Sequence, residues 1–120
     1  MSTKRPARIL VVDDDVNARA ALGALLRDEE HEVELAHDGI DALVKLATFR
    51  ADVIVTDVKM PRMDGLALYE AVRALPIPTP RFVFMSATGQ PDLDGETMHF
   101  VAKPIAVERL ASLVAEAVTR

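Results

Sequence analysis

Three acids in succession, Asp13-Asp14-Asp15, follow the apolar run Ile9-Leu10-Val11-Val12, and a fourth, Asp57, follows Val53-Ile54-Val55-Thr56. Two carboxylates about 5 Å apart repel by roughly 3 kcal/mol at an effective dielectric near 20. Acids gathered at one place therefore need a cation, a proton or separation. A hard divalent ion with oxygen ligands meets that need, and Mg²⁺ keeps several waters where carboxylates are few. The bland alternative is a helix cap plus solvated loop acids, the ordinary meaning of an acidic run on its own. Position argues for the ion, because Asp57 ends a neighbouring apolar run just as Asp13–Asp15 do. Ser86 closes Phe82-Val83-Phe84-Met85, and Lys103 closes Phe100-Val101-Ala102. A hydroxyl and an ammonium beside a metal and a carboxylate make a receptor for a phosphoryl group. Singly each is weak, since serine often ends strands and lysine is usually solvated; their shared placement gives them weight.

The elements that must position these groups follow from the patterning. Val53–Thr56 is β-branched throughout and runs into Pro61, Asp64 and Gly65, which reads as a central parallel strand emptying into a loop. Its carboxyl end is where open α/β sheets place their ligands. Apolar runs and helical patterns alternate five times, the signature of βα units around a parallel sheet. The strands are expected at Ile9–Val12, Glu32–Ala36 (alternating, hence nearer an edge), Asp52–Thr56, Arg81–Ser86 and Phe100–Ala102. Asp15 can cap the first helix, whose stripe is Ala18, Leu22, Leu25 and Leu26. After the Asp38-Gly39 turn comes a helix with the stripe Ile40, Leu43, Val44 and Ala47. Leu68, Ala71, Val72 and Leu75 mark the next, and Val107, Leu110, Val114 and Ala117 the last. Pro76-Ile77-Pro78-Thr79-Pro80 is a stiff, extended connector. Ala87–His99 has little to pack and room for a turn or two, where a parallel crossover usually carries a helix. A shortened or degenerate fourth helix is expected there.

Composition bounds the function classes. The chain has 120 residues, enough for one domain, with 50% apolar and 28% charged residues as in ordinary globular proteins. No apolar run approaches the roughly 20 residues that span a bilayer, and the polar, basic start has no signal-peptide core behind it. Cysteine is absent, which rules out disulfides and thiolate metal sites and fits a reducing, cytoplasmic setting. A net charge of −5 argues against direct nucleic-acid binding, which favours a basic face. The expected division is a flexible N-terminus over 1–7 and one folded domain over 8–120.

The motifs now assembled, ILVVDDD at the first strand, VIVTDVKMPRMDG at the third, FMSA at the fourth and FVAKP at the fifth, resemble the receiver domain of bacterial two-component response regulators. The resemblance, of a chemotaxis-regulator-like kind, covers essentially the whole chain. It implies a doubly wound, flavodoxin-like α/β fold with a five-stranded parallel sheet of order 2-1-3-4-5 and helices on both faces. It implies that Asp57 is the phosphoacceptor, attacking a phosphohistidine on a sensor histidine kinase or phosphotransfer protein. Asp14 and Asp57 would bind Mg²⁺ (or Mn²⁺) through carboxylates and Lys59 through its backbone carbonyl, with Asp13 helping directly or through water. Lys103 would pair with the phosphoryl group and Ser86 would hydrogen-bond to it. Ser86 and Phe100 would then form the switch, the aromatic turning inward as the hydroxyl moves. The output would pass to a downstream protein or a covalently linked output domain. Such a domain is a signalling switch that catalyses its own phosphorylation and dephosphorylation.

The sequence departs from the family pattern in its short Ala87–His99 segment, and in Glu96-Thr97 standing where Gly-Ala is usual before the fifth strand. This shrinks a surface that relatives use for output, so the first or last helix is expected to carry the signal instead. Two other classes compete. A haloacid-dehalogenase-type phosphatase would fit Asp13 and Asp15, but Asn17 stands where Thr or Val is expected, and 120 residues leave little room for a cap. A pseudo-receiver, binding partners without phosphorylation, would not need Asp13, Asp14, Asp57, Ser86 and Lys103 together. His31, His37 and His99 have no metal-binding spacing and receive no role; Met60 and Met63 are expected to pack, and Arg62 to be solvated. A stand-alone regulator and a receiver belonging to a longer protein both remain open.

Overall fold

Strands that are apolar at every position can be stable only where both faces of a sheet are covered. The computed structural model, which describes residues 6–86, 98–102 and 107–118, builds that arrangement. Its elements in chain order are β1 (Arg8–Val12), α1 (Val16–Asp28), β2 (Glu32–Ala36), α2 (Gly39–Leu46), β3 (Val53–Asp57), α3 (Gly65–Arg73), β4 (Arg81–Ser86), β5 (Met98–Ala102) and α4 (Val107–Val118). The strands are parallel in the order β2-β1-β3-β4-β5, as the resemblance implies. The pleat sorts the side chains into two cores. Ile9, Val11, Val53, Val55, Val83 and Met85 meet Leu22 and Leu26 of α1 and Leu110, Leu113 and Val114 of α4. Leu10, Val12, Ile54, Phe82 and Phe84 meet Ala42 of α2 and Leu68, Tyr69 and Val72 of α3. The sheet is doubly wound, and β3 at its centre is buried along its whole length. The edge strand β2 is exposed or half-buried except at Ala36, as its alternation suggests.

Several details correct the expected pattern. β3 ends on Asp57 rather than Thr56; Asp52 instead stands before the strand, its carboxylate accepting from the Arg8 N–H at 2.9 Å. α2 faces the sheet with Ala42, Leu43 and Leu46 and buries Gly39 under Met63, while Ile40 and Val44 are exposed. Its apolar residues admit two overlapping stripes. The one that places small residues against the sheet wins, helped by the Lys45 ammonium reaching back to the Leu35 carbonyl at 2.5 Å. In α3 the buried residue not anticipated is Tyr69, whose ring meets Phe82 edge-on at 5.1 Å, while Leu75 is exposed. β5 begins at Met98, two residues early, and the expected degenerate helix over 87–97 lies outside the described residues. At the other end the packed chain already includes Ala7, which is buried and donates its N–H to His31 Nδ1 at 3.0 Å.

Candidate functional site

The acids meet because of strand register. Val12 pairs with Thr56, which sets Asp13 beside Asp57 at the carboxyl edge of the sheet, on adjacent strands. The Asp13 N–H donates to the Ala36 carbonyl at 3.1 Å and the Val58 N–H to Met85 at 3.0 Å, so both strands stay pinned one residue past their ends. Asp13 Oδ1 accepts from the Asp15 N–H at 2.9 Å, while Arg19 donates to the Asp13 carbonyl at 2.7 Å. Asp15 leaves the cluster and caps α1, accepting from the Asn17 N–H at 3.0 Å, as its position suggests. Carboxylate oxygens of Asp13, Asp14 and Asp57 all lie within 4.8 Å of one another. Asp13 and Asp57 are buried and Asp14 is exposed, so the cluster is walled by the sheet and open to solvent on one side.

The donor set fits a hard divalent ion. It is all oxygen and multiply negative, with an open side on which waters or a phosphoryl oxygen can complete the shell. Ser86, nearly buried, ends β4 next to β3 and pairs with Ala102 of β5. It therefore stands at the same edge as Asp57. Lys103 follows Ala102 directly but lies outside the described residues. Phe100 is in β5, paired with Phe84. Lys59 is exposed two residues beyond Asp57.

Two features were not anticipated from sequence. Gly65 begins α3 directly against the acid strand: its N–H donates to the Val58 carbonyl at 2.8 Å, and a Cβ there would lie 2.2 Å from the Asp57 carbonyl oxygen. The sequence signals it only as turn chemistry. Arg62 is exposed, as expected, but its guanidinium also forms an unanticipated ion pair with the buried carboxylate of Asp38, the N-cap of α2. Asp38 Oδ1 accepts from the Asp41 N–H at 2.7 Å. That backbone hydrogen bond lowers the Asp38 pKa; burial opposes it, while the Arg62 guanidinium and His37 add to the lowering. An unfolded aspartate titrates near pH 4. Because the folded value is lower, Asp38 contributes its stability in full above about pH 4 and loses it as pH falls through the folded value. Asp38→Asn should therefore flatten the fall of Tm on acidification below about pH 4. Thermal melts across that range check it, and equal slopes for both proteins would refute the assignment. His37 lies against this cluster, with Nδ1 3.0 Å from Asp41 Oδ2, and Met63 packs on Gly39, as expected for a packing residue.

The strand order reverses between β1 and β3, and the acids sit at that switch point, where doubly wound proteins bind their ligands. Fold and site together define a flavodoxin-like α/β domain with an acidic ligand site. The response regulator receiver domain family matches residues 9–115, and the chain belongs to that family. It is 39% identical over 107 residues to the response regulator MprA of Mycobacterium avium (strain 104), covering 86% of this chain and 47% of that protein. The match to MprA of Mycobacterium tuberculosis (strain ATCC 25618 / H37Rv) is also 39% identical and covers 46% of the relative. The chain thus spans about half the length of these relatives. Among solved structures, the chemotaxis response regulator CheY4 of Vibrio cholerae superposes with a TM-score of 0.82 at 32% identity, covering 94% of this chain and 99% of that one. A putative response regulator from Chloroflexus aurantiacus gives 0.86 at 28%, covering 97% and 100%. The chain is accordingly a receiver domain of two-component, phosphorylation-based signalling. Among the described residues no helix is long and apolar enough to cross a membrane.

Proposed function

We propose that Asp57 accepts a phosphoryl group from a phosphohistidine of a sensor histidine kinase or phosphotransfer protein, in a Mg²⁺-dependent reaction. The observation that carries this is the meeting of Asp13, Asp14 and Asp57 oxygens within 4.8 Å at the carboxyl edge of the sheet. Those carboxylates and the Lys59 backbone carbonyl would hold the ion, which supplies charge neutralisation between an anionic nucleophile and an anionic phosphoryl group. A carboxylate is a poor nucleophile toward such a group, so positioning and charge stabilisation must supply most of the rate. An Asp57 oxygen attacks phosphorus in line with the departing imidazole nitrogen; the new P–O bond forms as the P–N bond breaks. The Ser86 hydroxyl and Lys103 ammonium take the remaining phosphoryl oxygens. Drawn toward them, Ser86 vacates space that the Phe100 ring enters, and the domain is biased to its signalling state by contacts that exist only when Asp57 is esterified. The switch then signals to a downstream protein or a linked output domain and resets by hydrolysing its own acyl phosphate.

Acetyl phosphate with Mg²⁺ tests this. Intact mass should show one phosphoryl adduct, located on the peptide that carries Asp57 and absent when EDTA replaces Mg²⁺. An unmodified chain under those conditions would favour a pseudo-receiver that binds partners without phosphorylation.

A further inference from the structure

The loop between β3 and α3 carries the residues next to the phosphoacceptor, and its backbone is strained at one point. The Met63 N–H donates to the Pro61 carbonyl at 2.7 Å, closing a three-residue turn centred on Arg62, whose φ is +68°. A left-handed conformation costs a side-chain-bearing residue on the order of 1 kcal/mol or more, and glycine would adopt it freely. Strain of this kind persists where surrounding structure holds it in place. Here the holder is visible. The Arg62 guanidinium reaches the Asp38 carboxylate, which is 2% exposed and fixed by the first turn of α2. The next residue, Met63, covers Gly39 so closely that a Cβ at Gly39 would lie 2.7 Å from Met63 Cγ. Two successive loop residues are thus seated on the start of α2, and the rest of the loop spans only from there back to Asp57.

We propose that Arg62 is a positioning residue. Through Asp38 it clamps the β3–α3 loop to α2 and so presets the loop backbone beside Asp57 for the divalent ion. The inference rests on the phosphoacceptor reading above. Arg62 touches neither ion nor phosphoryl group; it acts by removing loop conformations that would otherwise have to be given up on binding.

The choice of substitution separates this role from a purely structural one. Arg62→Gly removes the clamp and relieves the strained φ together, so fold stability in EDTA should change little. Mg²⁺ affinity, followed by amide chemical shifts in a titration, should nevertheless weaken about fivefold, less than the roughly 10–100-fold typical of outer-shell partners because the Arg62 side chain is more than half exposed. Phosphoryl uptake from acetyl phosphate at limiting Mg²⁺ should fall in proportion and return at saturating Mg²⁺. Asp38→Asn keeps a competent helix cap and should weaken Mg²⁺ to a similar degree. The double variant should be no weaker than the single ones, since both remove one connection. Unchanged Mg²⁺ affinity in R62G, or additive losses in the double variant, would overturn the clamp. If the wild-type chain itself neither bound Mg²⁺ nor took up a phosphoryl group, the phosphoacceptor reading would fall and the clamp with it.

Discussion

Asp57→Asn should abolish phosphoryl uptake and, without Mg²⁺, yield a more stable protein than the wild type. The first result follows from chemistry, because an amide oxygen carries neither the charge nor the nucleophilicity to form an acyl phosphate. The second follows from the geometry of the cluster. Asp57 and Asp13 are 5% and 0% exposed, with Asp14 beside them and ligand oxygens within 4.8 Å. At an effective dielectric near 20, each pair at that separation repels by about 3 kcal/mol. Partial solvent access and hydrogen bonds such as Asp15 N–H to Asp13 reduce the net effect, so about 1–3 kcal/mol of relief is expected on removing one charge. For a chain of this size that raises Tm by roughly 4–10 °C in EDTA.

Added Mg²⁺ should close or reverse this difference. A ligand that binds only the folded state raises stability by mass action. The wild type, with its full set of carboxylates, should gain more than Asp57→Asn and close or cross the gap at millimolar concentrations. Thermal melts of both proteins in EDTA and in Mg²⁺ make the comparison. If Asp57→Asn melted lower than wild type in EDTA and both gained equally from Mg²⁺, the idea that a divalent ion relieves crowded charge at this edge would be wrong.

The strands and the acidic edge were legible in the sequence because their signals are local. A β-branched run that ends in an acid encodes both the strand and the position of its functional group, and register between parallel neighbours does the rest. α2 was less legible, since Ile40, Ala42, Leu43, Val44 and Leu46 support two helical stripes. Deciding between them takes the closeness of α2 to the sheet, which is a tertiary quantity. Arg62 was illegible for a related reason. Its partner Asp38 is 24 residues away on another element, and nothing in the Met-Pro-Arg-Met-Asp-Gly stretch reports a buried carboxylate opposite. The Gly65 contact lies between these extremes. Its place after Asp64 marks a turn and helix start, and Asp64 does cap α3 by accepting from the Ala67 N–H at 2.8 Å. That the missing side chain is needed by the Asp57 backbone appears only in three dimensions.

Gly65→Ala is therefore expected to damage both stability and chemistry. In an open helix the change would gain about 1 kcal/mol. Here the new Cβ would sit 2.2 Å from the Asp57 carbonyl oxygen, 3.1 Å from its carbon and 3.2 Å from Val58 Cα. All three are backbone atoms, so no rotamer change relieves the overlap. Either α3 moves off the sheet or the end of β3 moves. The first disturbs the packing of Leu68 and Tyr69, and overpacking of this kind costs about 1–3 kcal/mol, a fall in Tm of roughly 4–10 °C. The second shifts Asp57, the proposed phosphoacceptor, and a displacement near 1 Å can cost about a hundredfold in rate. Phosphoryl uptake should thus fall by about ten- to a hundredfold. Gly23→Ala in α1 is the control: the three atoms nearest its Cβ all belong to the flexible end of Leu35, the closest 2.9 Å away at Cδ2, on the face of the sheet that carries α1. That variant should keep near-wild-type Tm and phosphoryl uptake. Equal behaviour of the two variants in both measurements would mean that the contact between α3 and the Asp57 backbone does not hold the nucleophile in place.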